Sequence, residues 1–484
     1  MIPFADWLRF HASVRPGELA IATPRVRLTY AQLYGAALSI AARLHGLGMK
    51  PGQKVAIFVV NRALQCALLV AVNRLGLCGC ILPQWESRRG AALEAVAFDW
   101  LLFDSALEPS AKGRRIEADA NWLVEHVSHD NLPPLKRFDS DAHCLIAISS
   151  GTVSKSKPIA FTAAQLERRI TWRSFEEQTT CPGEKTYIML STASMLSFLT
   201  MFGTLYAGGC VYGGWPAEKI AAVIAQEGIN RIVSTPPFLN QSMPSFEQQT
   251  DYPDLRIVYS GGDMLSEALS RRVTEKLCRN LVTAFGTNET GQIAVGRVDR
   301  MGYQPQRVGF LLPWAQAEVV DHNDNPLPLG VEGQLRFRTP GMTTGYLDNP
   351  QATAAQFKNG WFYPGDVGTV TKEGALIMGG RLSDLITTAT GRFSPRPIDM
   401  AVSEYDGVRE AAAFGVRGAN GLDDIWLAVS GGDDLDMENL RQFCATRFAE
   451  QAPRHFLKLA QLPRNESGKV LRWALVDIAT RKSA

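Results

Sequence analysis

The sequence predicts an α/β fold: a large N-terminal domain of parallel-rich sheets with helices, a small barrel-like β section, and a smaller α+β C-terminal domain. Three observations predict it. Strand-like and helix-like stretches alternate through most of the 484 residues, the order that a parallel sheet covered on both faces requires. From about Gln304 the texture changes to short strand-like runs between turns rich in Pro, Gly and Asn. After about Arg381 comes a compact tail that mixes strands with a helix. A chain of this length is also too long for one compact core.

Lys54–Asn61 (KVAIFVVN) is rich in β-branched and aromatic residues and reads as a buried strand. Ala63–Leu75 is an apolar helix ending near Gly76, and Cys78–Pro83 is a second strand. The pattern returns at Arg231–Ser234, Arg256–Ser260 and Leu281–Phe285, each running straight into polar or glycine-containing residues. In open α/β sheets ligands collect at such carboxyl ends of strands. Ala317–Val320, Gly333–Arg338 and Ala375–Met378 are the short runs of the barrel-like section. Glu410–Val416, Asp424–Val429 and a helix from Met437 to about Gln451 build the tail. A boundary at Ser383 divides the chain into residues 1–382 and 383–484. No tandem repeat or low-complexity tract interrupts it.

Composition narrows the function. Apolar residues make up 46% and charged residues 20%, enough apolar surface for true cores. The net charge of +2 asks for neither a nucleic acid nor an anionic membrane as partner. Eight cysteines show no Cys-x-x-Cys spacing, and Cys78 and Cys80 fall on one side of a strand as plain thiols. The N-terminus, with Asp6 early and no long apolar run, does not read as a signal peptide. No stretch of about eighteen apolar residues is present to span a membrane. A cytoplasmic protein is expected.

Five segments carry residue types suited to chemistry. His143–Pro158 is an apolar strand feeding a loop of small hydroxyl residues, Gly151 and two lysines. Small residues let backbone N–H groups approach phosphate oxygens, hydroxyls add donors, and lysine adds charge. The usual Gly-x4-Gly-Lys-[Ser/Thr] pattern is absent, and Pro158–Phe161 reads as strand, so no helix N-terminus stands behind the loop. Ser260-Gly261-Gly262-Asp263 follows a strand, and Ser266 can cap a helix with Leu269, Val273 and Leu277 on one stripe. Thr283–Gly291 places Phe285 to stack on a base and Glu289 to hold a hard cation. Trp361–Gly368 ends in Asp366, suited to ribose hydroxyls, with Arg381 following. Leu462–Arg472 puts Lys469 in a loop before a terminal helix. Read singly, each has a plainer meaning: a solvated hairpin, a tight turn, a structural carboxylate or a surface lysine.

Together, in this order, the segments resemble the adenylate-forming superfamily: acyl- and aryl-CoA synthetases, luciferases and the adenylation domains of nonribosomal peptide synthetases. The resemblance runs from Leu28-Thr29-Tyr30-Ala31-Gln32-Leu33 to Ser467-Gly468-Lys469. It implies a large substrate-holding domain and a small mobile domain that rotates on a hinge. It also implies ATP and Mg²⁺ as cofactors, a small carboxylic acid as substrate, and CoA or a carrier-protein phosphopantetheine as acceptor. By position, Ser149, Ser150, Gly151, Thr152, Ser154 and Lys157 are similar to the phosphate-binding loop. Gly261 and Gly262 are similar to the adenine turn, and Phe285, Gly286 and Asn288 to the adenine neighbours. Glu289 matches the Mg²⁺ residue, Asp366 and Arg381 the ribose contacts, Ser383 the hinge, and Lys469 the catalytic lysine.

A carboxylate attacking the α-phosphorus of ATP brings two anions together, which is why lysines and Mg²⁺ are needed. Several positions depart from the family. Val153, Ser154 and Ser156 stand where the phosphate loop usually has Thr, Gly and Pro, Asn288 replaces Thr, and Pro364 replaces the Thr before Gly365. Ser383 replaces a hinge Asp or Lys, Thr390 a glycine of the thiol tunnel, and Pro397 a Glu. The retained residues favour adenylation, and the changes gather in the thiolation half.

Ser194–Leu199 matches the stretch where amino-acid-activating members carry an Asp for the substrate ammonium. Without an acid there, a cationic group would sit unpaired in an apolar pocket. A non-amino acid is therefore expected, aryl or fatty acyl, with Met195, Leu196, Phe198 and Leu199 lining its pocket. Two rival readings remain. Ser154-Lys155-Ser156-Lys157 has the Ser-x-x-Lys spacing of penicillin-binding enzymes, but their Ser-Asp-Asn and Lys-Thr-Gly companions are missing. A non-catalytic binder of the same fold is the other; Lys469 and Glu289 speak against it.

Overall fold

The computed structural model describes residues 4–83, 93–104, 114–135, 138–149, 157–176, 182–248, 251–304, 306–418, 420–432, 435–464 and 470–483. Two sheets dominate the N-terminal part. The smaller is six-stranded and centres on the parallel strands Lys54–Phe58, Cys78–Ile81 and Trp100–Phe103. The larger has fifteen strands. Its parallel half runs through Lys185–Ile188, Arg231–Ser234, Ile257–Gly261 and Leu281–Thr287.

The strands are buried on both faces, as their near-continuous apolar runs require. In Lys54–Phe58, Val55 and Ile57 join a core shared by both sheets, whereas Ala56 and Phe58 face a second cluster with Cys78 and Cys80. The shared core takes in helices Phe4–Val14, Tyr30–Gly46, Arg62–Arg74 and Met195–Tyr206. Helix Arg62–Arg74 has every residue from Ala63 to Asn73 buried, which explains why its sequence is apolar all round. The other face of the large sheet is covered by Ala217–Glu227, Pro236–Gln248 and Glu267–Lys276. Ser266 caps the last of these, accepting from the Leu269 N–H at 3.2 Å. The opening Leu28–Leu33 motif is a capping box: Thr29 and Gln32 each accept the other's backbone N–H.

The expected short-strand section is antiparallel, and it is hydrogen-bonded into the large sheet rather than standing apart. The change of direction comes at Leu281–Thr287 and Gly291–Arg297. Strands Arg307–Leu311, Ala375–Arg381, Asp366–Val370 and Gly333–Arg338 then follow side by side around their own core of Leu335, Phe337 and Leu376. The C-terminal part is a three-stranded sheet, Val408–Arg417, Asp423–Gly431 and His455–Lys458, with helices Arg396–Ser403, Met437–Phe448 and Arg472–Ser483. Its two apolar clusters draw only on residues from Ile386 onward. Seven of the cysteines are described, all as free thiols; Cys181 lies outside the described residues.

Candidate active site

A cavity of about 540 Å³ opens where the parallel strands end and the antiparallel section begins. The segments singled out in the sequence converge on it. Lys157, Gly261, Gly262, Phe285, Gly286, Asn288, Glu289, Asp366, Arg381 and Ser383 all line it, as do Met195, Leu196 and Leu199. Phe198 does not. It is 2% exposed and packs on Phe4 and Phe202, because a residue between Leu196 and Leu199 on a helix turns toward the shared core. Ser149 ends a strand that pairs antiparallel with Lys157–Thr162. Ser150, Gly151, Thr152, Ser154 and Lys469 lie outside the described residues.

Lys157 comes from the first position of its strand. Its ammonium donates to Gln356 Oε1 at 2.5 Å and lies 5.0 Å over the Tyr346 ring. Desolvation holds its pKa below the ordinary lysine value; Glu289 opposes that shift and Arg381 adds to it. The Tyr346 hydroxyl stands 2.8 Å from Glu289 Oε1 and 2.7 Å from Gln356 Oε1. One proton thus serves two acceptors. Burial, then the Glu289 charge, pushes the Tyr346 pKa far up, so the phenol stays a donor.

Glu289 is held by its own backbone. Arg169 donates to the Asn288 carbonyl at 2.7 Å, the Glu289 carbonyl at 2.8 Å and the Gly341 carbonyl. Burial lowers the Arg169 pKa to about 10. Upstream, a bulge separates Phe285 from Gly286, and a Cβ on Gly286 would come within 2.5 Å of the Gly291 carbonyl oxygen. Gly262 turns the chain at φ +88°, which a side chain would strain. Asp366 is 3% exposed; its Oδ1 meets Arg381 Nε at 2.7 Å, while Oδ2 has no partner among the described residues. That oxygen is a buried, unpaired acceptor on a residue of the cavity wall.

Among the described residues no group of three His, Cys, Asp or Glu gathers around a metal site. A magnesium ion carried on nucleotide phosphates needs only one or two carboxylates, and the Glu289 side chain on the wall fits that demand. Arrayed together are a cation, a hard carboxylate, an unpaired carboxylate oxygen and an apolar end.

Arg169, Trp172, Arg173, Tyr259, Gln292, Trp314, Tyr346, Gln356 and Arg396 also line the cavity without having been singled out. For two of them a signal existed. Arg169 and Arg173 share the stripe of Leu166 and Ile170 on helix Ala163–Glu176, so both are placed at core-facing positions. Tyr346 and Gln356 carry no such mark.

The family model described as "AMP-binding enzyme" matches residues 8–347. A 2-succinylbenzoate–CoA ligase of Listeria monocytogenes is 24% identical over 96% of this chain and 98% of its own length. An indoleacetate–CoA ligase of Aromatoleum aromaticum is 26% identical over 99% and 98%. The solved O-succinylbenzoate coenzyme A synthetase of Bacillus subtilis in complex with AMP superposes with a TM-score of 0.86, at 21% identity over 97% of both chains. The chain belongs to the AMP-binding enzyme family of adenylate-forming ligases.

Proposed function

We propose that this protein uses ATP to convert a non-amino carboxylic acid into an acyl-adenylate, releasing pyrophosphate, and then passes the acyl group to the thiol of CoA. One observation carries the reading. Lys157, Glu289 and Asp366 come from three distant segments and open onto one cavity with an apolar end.

The family resemblance and the lining of the cavity support the following division of labour. Asp366 Oδ2 takes ribose hydroxyls, and Arg381 keeps its partner oxygen fixed. The glycine turn and Phe285 receive the base. Lys157, shielded from water on one side, offsets phosphate charge. Glu289, steadied by Tyr346 and Arg169, supplies the carboxylate for Mg²⁺, which when bound neutralises the phosphates. Met195, Leu196 and Leu199 exclude water from the acyl group. Lys469 bridges the acyl oxygen and the α-phosphate, giving in-line geometry, and leaves with residues 383–484 when these rotate about Ser383. Ser150, Gly151, Thr152 and Ser154 complete the phosphate loop. AMP is a good leaving group, so the thiol needs little further activation.

Pro397 stands in the first turn of helix Arg396–Ser403, where a missing N–H costs nothing, so the helix accommodates it. Thr390 is exposed beside the hairpin of Ile386–Thr388 and Gly391–Phe393. We place the protein in the cytoplasm, with a carrier-protein phosphopantetheine as the alternative acceptor and no nucleic-acid partner. No helix among the described residues is long and apolar enough to cross a membrane.

Mass spectrometry of products tests the reading. ATP, Mg²⁺, a panel of aryl and fatty acids, and either CoA or a phosphopantetheinylated carrier are supplied. An acyl-adenylate followed by an acyl thioester is expected. No adenylate from any acid would overturn it.

A further inference from the structure

The apolar end of the cavity contains a polar device that a hydrocarbon chain would not use. Gln292 lies on strand Gly291–Arg297, across from Gly286, and lines the cavity. Its Oε1 accepts from Arg173 Nη1 at 2.7 Å and from the Tyr259 hydroxyl at 2.9 Å. A guanidinium carries donors only, so the amide atom facing it must be the oxygen. The orientation of the amide is thereby fixed, and Nε2 points away from Arg173. Nε2 is buried and has no partner among the described residues.

The surroundings identify which part of a substrate this donor would meet. Arg173 is 5% exposed, lies 4.1 Å over the Tyr259 ring, and reaches Thr200 Oγ1 at 3.4 Å. Thr200 is one turn beyond Leu196 on the same helix, and Leu196 packs with the Tyr259 cluster. Gln292 therefore belongs to the stretch of wall that Leu196 and Tyr259 share.

We propose that Gln292 is a specificity-determining residue: its Nε2 donates to an oxygen in the acyl portion of the substrate. The acid then carries a neutral oxygen acceptor, an oxo group, besides the carboxylate that reacts. The proposal rests on the acid-activating reading and names its substrate class. A plain alkyl or aryl acid would bury the amide donor unmet, and sites built to hydrogen-bond a substrate group discriminate strongly against analogues that lack it.

The test compares matched acids that differ by one group, such as benzoylpropionate against phenylbutyrate, with shorter and longer pairs of the same kind. Acid-dependent pyrophosphate exchange is measured with wild type, Gln292→Leu and Gln292→Glu. The Glu variant keeps acceptors for Arg173 and Tyr259 while removing the donor, so it guards against a loss of fold. Wild type should favour the oxo acid of at least one pair by about tenfold or more in kcat/KM, and both variants should erase that ratio. Equal use of every pair by wild type, or a ratio unchanged in both variants, overturns the role of Gln292 and leaves acid activation standing. No exchange with any acid of either kind overturns the activation reading and this proposal with it.

Discussion

Arg396 Nη1 stands 3.2 Å from Asp263 Oδ1, joining the first turn of a C-terminal helix to the glycine turn of the large sheet. Both residues line the cavity. Burial opposes the Arg396 charge, but Asp263, Asp399 and Asp384 outweigh it and raise its pKa. The rotation we propose for residues 383–484 about Ser383 must break this pair. Arg396→Met should therefore loosen the pose by about 1.5–3 kcal/mol, the usual worth of a hydrogen bond to a charged group. The readout is the rate of limited trypsin cleavage after Arg381, expected to rise about tenfold. An unchanged rate would show that the pair does not hold the pose.

Asp366 has one oxygen committed to Arg381 and one uncommitted. Asp366→Asn preserves shape but replaces by an amide the carboxylate we propose as acceptor of the ribose hydroxyls. KM for ATP should rise about 10–100-fold. Wild type should also prefer ATP to its dideoxyribose analogue, and the variant should lose that preference. A preference that survives would take the ribose away from Asp366.

Glu289 and Tyr346 form a coupled pair whose members should fail differently. Glu289→Gln removes the carboxylate, so the exchange rate should fall about 10²–10³-fold and more Mg²⁺ should be needed for half the maximal rate. Tyr346→Phe removes one donor and leaves the charge, so a loss of about tenfold with a nearly unchanged Mg²⁺ requirement is expected. A Mg²⁺ titration of all three proteins decides it; identical requirements would remove the metal from Glu289.

Part of this site was legible because Gly261, Gly262, Phe285 and Gly286 come at the carboxyl ends of strands, where the backbone demands glycine. Gly262 turns the chain, Gly286 admits the neighbouring strand, and Asp366 opens a strand pairing with Arg381. Sequence reasoning failed where every face of an element looks alike. Helix Met195–Tyr206 is apolar nearly all round, so periodicity could not separate Leu196 and Leu199 from Phe198. It also missed partners delivered by tertiary structure. Leu347 N–H bonds to the Pro158 carbonyl at 2.8 Å, bringing Tyr346 to Lys157 across almost two hundred residues of chain, and no local pattern announces that meeting. The barrel-like section was recognised by its turns, but which sheet it joins depends on long-range pairing.

We propose that Lys469 acts in one half-reaction only. Lys469→Ala should slow adenylate formation about 10²–10³-fold, the cost of removing one electrostatic contact to a developing charge. Thioester formation from supplied acyl-adenylate should be spared. Following the two half-reactions separately by mass spectrometry checks this, and equal losses in both would contradict the separate role.

His11 makes stability depend on pH far from the cavity. It is 5% exposed, its Nε2 is 2.9 Å from the Tyr206 carbonyl, and its Nδ1 has no partner among the described residues. That pattern fits a neutral ring donating from Nε2. Desolvation holds its pKa below the ordinary 6.5; the Tyr206 carbonyl and Glu18 pull upward, and Arg15 adds to the lowering. As pH falls, the unfolded chain takes up the proton first. The stability from this site is therefore whole above the ordinary histidine value and is lost as pH drops through it toward the folded value. For one proton the slope is at most about 1.4 kcal/mol per pH unit. His11→Gln keeps a donor for Tyr206 and cannot titrate. Thermal unfolding between about pH 7 and pH 5 should be steeper in wild type than in the variant. Parallel profiles would mean that the ring charges in the folded protein as readily as in the unfolded chain.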